Sequence, residues 1–136
     1  MRFMTLYKPG KESDAPPTQK EMADMGQLIE EMAKAGVLIA TDGLQPSSKG
    51  ARVRISDGKF TVTDGPFTET KELIAGFWLW QVRSKEEAIE WLKRAPFEDT
   101  EVEIRQVFEA EDFGAEFTPE LREQEERLRK QLAGKK

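Results

Sequence analysis

Between positions 61 and 81, in the run TVTDGPFTETKELIAGFWLWQ, the polar groups able to do chemistry gather at the entrance of the most apolar stretch of the chain. Asp64 and Glu69 are carboxylates that can serve as proton acceptors if a folded loop desolvates them, because burial raises a carboxyl pKa. Lys71 lies two residues beyond Glu69, and Arg52 and Arg54 lie upstream; these cations can hold an anion such as a substrate carboxylate. Trp80, on the strand that follows, is the candidate contact for an aromatic or apolar ligand body. A carboxylate base and a cationic anchor suffice for isomerisation or elimination without a cofactor. Two plainer readings compete. Asp64-Gly65-Pro66 is built to turn, with Asp bonding backbone donors two residues on and Pro fixing φ, so Asp64 can be an Asx-turn carboxylate. Glu69, Lys71 and Glu72 can equally be a solvated loop.

The remaining composition removes whole classes of chemistry. The 136 residues contain no cysteine and no histidine. That excludes disulfides, zinc–thiolate sites, Fe–S clusters and thiol nucleophiles, together with a Ser-His-Asp triad. Acid–base work falls to carboxylates, lysine or the single tyrosine, Tyr7. The net charge is -5 with no basic block, which argues against nucleic acid, whose phosphates need a concentrated positive face. The longest near-apolar run, 73–80, is too short to span a bilayer. No signal-peptide core forms before Lys8, so a cytoplasmic protein with no membrane partner is expected. No G-x-G-x-x-G turn follows a strand, and no cofactor is expected.

The elements that must position these groups follow from periodicity. A first strand begins at Phe3, and a Pro-containing loop leads to a Thr18–Glu21 capping box. Met22, Met25, Ile29 and Met32, with Leu28, share one face of the helix that follows, and the methionines are read as core rather than as an adaptable binding groove. A short strand over 37–41 precedes a Gly/Ser/Pro-rich loop. Residues 51–56 and 59–63 alternate apolar and polar about Asp57-Gly58, which predicts a hairpin with a type I′ turn. The strand over 73–82 carries apolar groups on both faces and so needs cover twice, which points to a second subunit. Ser84 and Glu87 form a second capping box on a helix stopped by Pro96, and 101–108 is the last strand. Thr118 and Pro119 open a charged helix with a narrow Leu121, Leu128 and Leu132 stripe.

The order β-α-β, hairpin, β-α-β predicts an α+β, ferredoxin-like (split βαβ) fold with an extra hairpin. Residues 1–110 would form the domain and 111–136 a loop and C-terminal helix.

The Asp64-Gly65-Pro66-Phe67 turn, continued by Glu69-Thr70-Lys71-Glu72 and Gly76-Phe77, resembles the family named for its Asp-Gly-Pro-Phe (DGPF) motif, a branch of the YciI-like proteins. The likeness extends over the opening strand, the Leu44-Gln45-Pro46 loop, the 53–63 hairpin and the 84–95 helix. It implies a YciI-like dimeric α/β barrel, which hosts isomerases, lyases, monooxygenases and non-catalytic sensors alike, so fold does not select function. Relatives credited with a His–Asp pair differ from this chain, which lacks histidine. Of the family motif, Asp64 can be carried over, with Glu69 and Lys71 beside it.

Two classes of function are therefore expected. One is a homodimeric, cofactor-independent enzyme of isomerase or lyase type acting on a small carboxylated or aromatic compound. The other is a non-catalytic ligand-binding or regulatory protein-interaction module, with the charged last helix as a contact surface.

Overall fold

Helix α1 (Gln19–Lys34) starts where its cap residues dictate. Thr18 Oγ1 accepts the Glu21 amide at 3.1 Å, and Glu21 Oε1 accepts the Thr18 amide at 3.2 Å, so the expected box closes in both directions. The computed structural model describes residues 1–13, 15–69, 72–98 and 100–134, and Lys71, one of the expected anion-binding groups, lies outside the described residues.

The chain divides into two compact units, Met1–Gln106 and Val107–Lys136. In the first, strands β1 (Arg2–Lys8), β2 (Leu38–Gly43), β5 (Gly76–Gln81) and β6 (Glu101–Gln106) form one sheet in the order β2-β5-β1-β6. Every neighbouring pair is antiparallel. With α1 between β1 and β2, and α2 (Lys85–Leu92) between β5 and β6, this order is compatible with the expected ferredoxin-like arrangement. Strands β3 (Ala51–Ser56) and β4 (Lys59–Asp64) form a separate two-stranded ribbon. Its turn has positive φ at both Asp57 (52°) and Gly58 (74°), the signature of the expected type I′ geometry.

Alternation along the strands sorts the sheet into two faces. Register places Phe3 opposite Trp80 and Thr5 opposite both Trp78 and Ile104, all on one face. Phe3, Trp78 and Trp80 pack there with Leu28 and Met32 of α1, Val37, Val82 and Ala88 of α2. Each fully buried aliphatic, Met or Phe side chain contributes roughly 1.5–3 kcal/mol. The Trp80 indole N–H is buried without a hydrogen-bond partner among the described residues. An unmet donor of this kind costs about 1–3 kcal/mol.

Several boundaries differ from those expected. The central strand is shorter, Gly76–Gln81 rather than 73–82. The second strand starts at Leu38 and carries a register shift between Leu38 and Ala40. The second capping box is only half formed: Ser84 Oγ accepts the Glu87 amide, but Glu87 Oε2 turns to the amide and guanidinium of Arg83. Helix α2 ends at Leu92, ahead of Pro96. The methionine face of α1 is divided, with Leu28 and Met32 buried and Met22 more than half exposed.

The second unit begins with 3-10 turns over Ala110–Glu116, kinked at Gly114, and continues into α3 (Pro119–Ala133). Thr118 Oγ1 accepts the Leu121 amide, and Pro119 occupies the first turn as expected. Along α3, Glu125 meets Arg129 at 2.8 Å, one turn apart. Leu121, Leu128 and Leu132 are exposed. Phe113 stacks on Phe108 and tilts against Phe117 within the same unit. Among the described residues no helix is long and apolar enough to cross a membrane.

Candidate functional site

The motif loop begins at the end of β4, where Asp64 pairs with Ala51. The Gly65 amide donates to the Gly50 carbonyl at 3.1 Å, which holds the loop against the 3-10 turn Ser47–Lys49. A Cβ on Gly65 would fall inside the Ser47 peptide group, so glycine is required here by close backbone approach rather than by φ. The Gly65–Pro66 bond is cis. Two residues on, the Phe67 amide donates to Ser47 Oγ at 2.9 Å. Ser47 in turn donates through its hydroxyl and its amide to the two carboxylate oxygens of Glu12, at 2.5 and 2.6 Å. The motif thus ties the hairpin to the turn at Ser47 and to the loop bearing Glu12.

The charged groups of the loop satisfy one another. Arg52 Nη1 meets Glu69 at 3.0 Å and Nη2 meets Glu72 at 3.5 Å, with the guanidinium 3.9 Å from the centre of the Phe67 ring. Hydrogen bonds from its own amide and from Arg52 hold the Glu69 carboxyl below the usual carboxylate range. Such a group is ionised at neutral pH but is a weak proton acceptor. Asp64 is solvent-exposed, and its carboxylate makes no hydrogen bond among the described residues, so neither the desolvated base nor the Asx turn is formed. Arg54 is exposed on the same side of the ribbon as Arg52 and takes no part in the Arg52 cluster. Trp80 is fully buried in the core. The structure therefore brings Arg52 and Glu69 together, and leaves Asp64, Arg54 and Trp80 apart from them.

A different part of the same unit is concave. A cavity of about 700 Å³ lies between α1 and the core-facing side of the sheet, at the Tyr7–Gly76–Gly43 end. That volume is in the range of small-molecule sites. Its aromatic wall is Tyr7, Phe97 and Trp78: Tyr7 and Phe97 stack at 4.2 Å with 4° between planes, and Trp78 lies 5.7 Å from Phe97. The opposite wall is the apolar side of α1, from Met22, Met25 and Ile29. Gly26 lies within that wall, and a Cβ there would meet nothing within 4 Å. Helix glycine costs roughly 0.8–1 kcal/mol relative to alanine, so this position gives up stability and keeps the space open.

The polar groups of the cavity fall into two sets. The hydroxyls of Thr5 and Thr41 donate to the backbone carbonyls of Trp78 (3.3 Å) and Phe77 (2.9 Å). The carboxylates are Glu21, Asp24, Asp42 and Glu98, and no lysine or arginine is among the described lining residues. Burial, and then the Glu21 charge, push the Tyr7 phenol above its ordinary pKa, so it is a neutral donor at physiological pH. Its hydroxyl has no hydrogen-bond partner among the described residues. None of the described residues of the motif loop, 64–69 and 72, lines this cavity.

Comparison with known proteins sets this geometry in a family. The sequence pattern of the YCII-related domain matches residues 1–111. This chain belongs to the YCII-related domain family. An uncharacterized protein of Rhizobium meliloti (strain 1021) is 35% identical over 75 residues, which cover 55% of this chain and 60% of that relative. The matched stretch thus spans less than two thirds of the relative's length.

Within this YCII-related domain, the density of polar residues marks the loop, and the cavity lies elsewhere. The sequence did hold signals for it. Tyr7 was the single tyrosine, and the flexible Met22 and Met25 shared one helix face with Gly26, an open notch. Phe97, just past the helix-stopping Pro96, gave no signal, since only its stacking on Tyr7 makes it a wall.

Proposed function

We propose that this YCII-related protein binds a small molecule in the cavity between α1 and the sheet, and that it acts as a homodimer. The observation that carries the first part is the cavity: a cleft open to solvent and walled by three stacked aromatic rings and an apolar helix face, it holds a few polar groups. The homodimer rests on the β3–β4 ribbon. Val53 pairs with Val62 and Ile55 with Phe60, which puts all four on one face, and each is 55–70% exposed. A contiguous apolar strip of this kind marks an interaction surface.

The motif loop has a supporting role in this reading. Asp64-Gly65-Pro66-Phe67 clamps the ribbon to the turn at Ser47, and Arg52 is neutralised by Glu69 and Glu72 rather than held ready for a substrate anion. Cofactor-independent proton transfer, of isomerase or lyase type, is the second reading. One observation favours it: a phenol kept protonated, Tyr7, lines the same space as Glu21.

The test is a small-molecule screen by thermal shift on wild type and on Gly26→Phe, which fills the cavity from an open position. Ligands that raise the wild-type melting temperature and leave the variant unmoved support the cavity. Ligands that stabilise both proteins equally place binding elsewhere and end the proposal.

A further inference from the structure

The carboxylated compound expected from the loop sequence fits this cavity poorly. Four carboxylates line it, and among the described residues one of them has a cationic partner: Asp24 pairs at 2.8 Å with Lys20, which is outside the lining set. Glu21, Asp42 and Glu98 have no cationic partner among the described residues. A bound anion would face like charges, with no arginine or lysine among the described lining residues to meet it. The positive end of α1 opposes that field, but only by about half a charge.

The three rings complete the chemistry. Aromatic faces carry negative electrostatic potential, and ammonium groups are held over them when carboxylates lie nearby. Tyr7, Phe97 and Trp78 lie within one stack, and the Glu21 field reaches the Tyr7 hydroxyl. The Met22, Met25 and Ile29 wall opposite offers apolar surface to the rest of a ligand.

We propose that the cavity takes an organic cation: a protonated or quaternary amine carried on an aromatic or apolar body. The ammonium sits toward the carboxylates at an outer face of the ring stack, and the body lies against α1. This inference rests on the reading of the cavity as the ligand site, and it specifies the class of ligand which that reading leaves open.

The experiment uses three probes that share one body and differ in head group: phenethylammonium, phenethyl alcohol and hydrocinnamate. Each is titrated into the full chain with intrinsic tryptophan fluorescence, since Trp78 forms part of the wall, and by calorimetry. The cation is expected to bind about tenfold more tightly than the alcohol, and hydrocinnamate not to bind detectably. The Asp42→Asn/Glu98→Gln double variant should weaken the cation several-fold and leave the alcohol unchanged. Gly26→Phe should abolish binding of both; Gly26→Leu serves if the Phe variant does not fold by circular dichroism. Alcohol or carboxylate binding as tight as the cation, blocked by the plug, would overturn the cation inference and keep the cavity. Binding that survives the plug, or no binding by any probe, would overturn both.

Discussion

Replacing Gly65 with alanine separates the clamp role of the motif from any direct role in ligand binding. The added Cβ would overlap the Ser47 carbonyl group and lie 3.2 Å from the Ser48 nitrogen, and these are backbone atoms that cannot swing aside. Relief requires the loop and the Ser47–Lys49 turn to part by on the order of an ångström. That distance breaks the Gly65 amide bond to Gly50 and the Phe67 amide bond to Ser47, now 3.1 and 2.9 Å. At about 1 kcal/mol for each net hydrogen bond, with displaced packing at Phe67 in addition, the expected loss is about 2–4 kcal/mol. That is a large fraction of a typical domain's stability of about 5–15 kcal/mol. Urea unfolding of wild type and variant measures the loss directly, and amide hydrogen exchange locates it. Protection should fall first at 47–50 and at Gly65 and Phe67, with the β1–β5 ladder holding. A variant within about 0.5 kcal/mol of wild type, which is the range of a neutral surface substitution, would refute the clamp.

Further expectations concern the cavity wall, the loop charges and the ribbon. Gly26→Ala, at an open helical position, should stabilise the protein by about 1 kcal/mol in the same urea assay. Tyr7 is the single tyrosine, so ultraviolet titration reads it alone; its midpoint should lie above the ordinary value of 10.0 and fall towards it in Glu21→Gln. Because the folded value is the raised one, the associated stability is present below the unfolded tyrosine pKa and is lost as pH rises through the folded value. For Glu69 the sign reverses: its folded pKa is depressed, so its contribution is present above the ordinary carboxylate range and disappears as pH falls through the lower folded value. Carboxyl NMR titration should show that midpoint rising in Arg52→Gln. Ile55→Lys/Phe60→Lys should leave circular dichroism unchanged and shift the mass by light scattering from dimer to monomer.

Much of the fold was legible because local rules and tertiary contacts agree. Thr18–Glu21, Asp57-Gly58 and Thr118-Pro119 each satisfy backbone groups within a few residues, so their types alone predict the elements. Alternation through Phe77, Trp78, Leu79 and Trp80 marked an inner strand, and its pairing with both β1 and β2 agrees. What escaped depends on competition between partners or on contacts far apart in sequence. Glu87 had an arginine neighbour to serve as well as a cap, and it took the arginine. The charges of the loop looked available because Arg52 is 17 positions before Glu69, and only the ribbon's register brings them to 3.0 Å. The cavity is hardest of all to read, since its walls come from β1, α1, β2, β5, β6 and the segment after α2. Clustered polar residues at a strand mouth are a good sign of a built structure, and here that structure holds a turn in place.

Ligand binding between α1 and the sheet can be read residue by residue through amide chemical-shift mapping with phenethylammonium. Saturable shifts are expected at Thr5, Tyr7, Met25, Gly26 and Trp78, with the loop at 64–69 unmoved. Shifts centred on Asp64, Phe67 and Glu69, with those five amides silent, would contradict it.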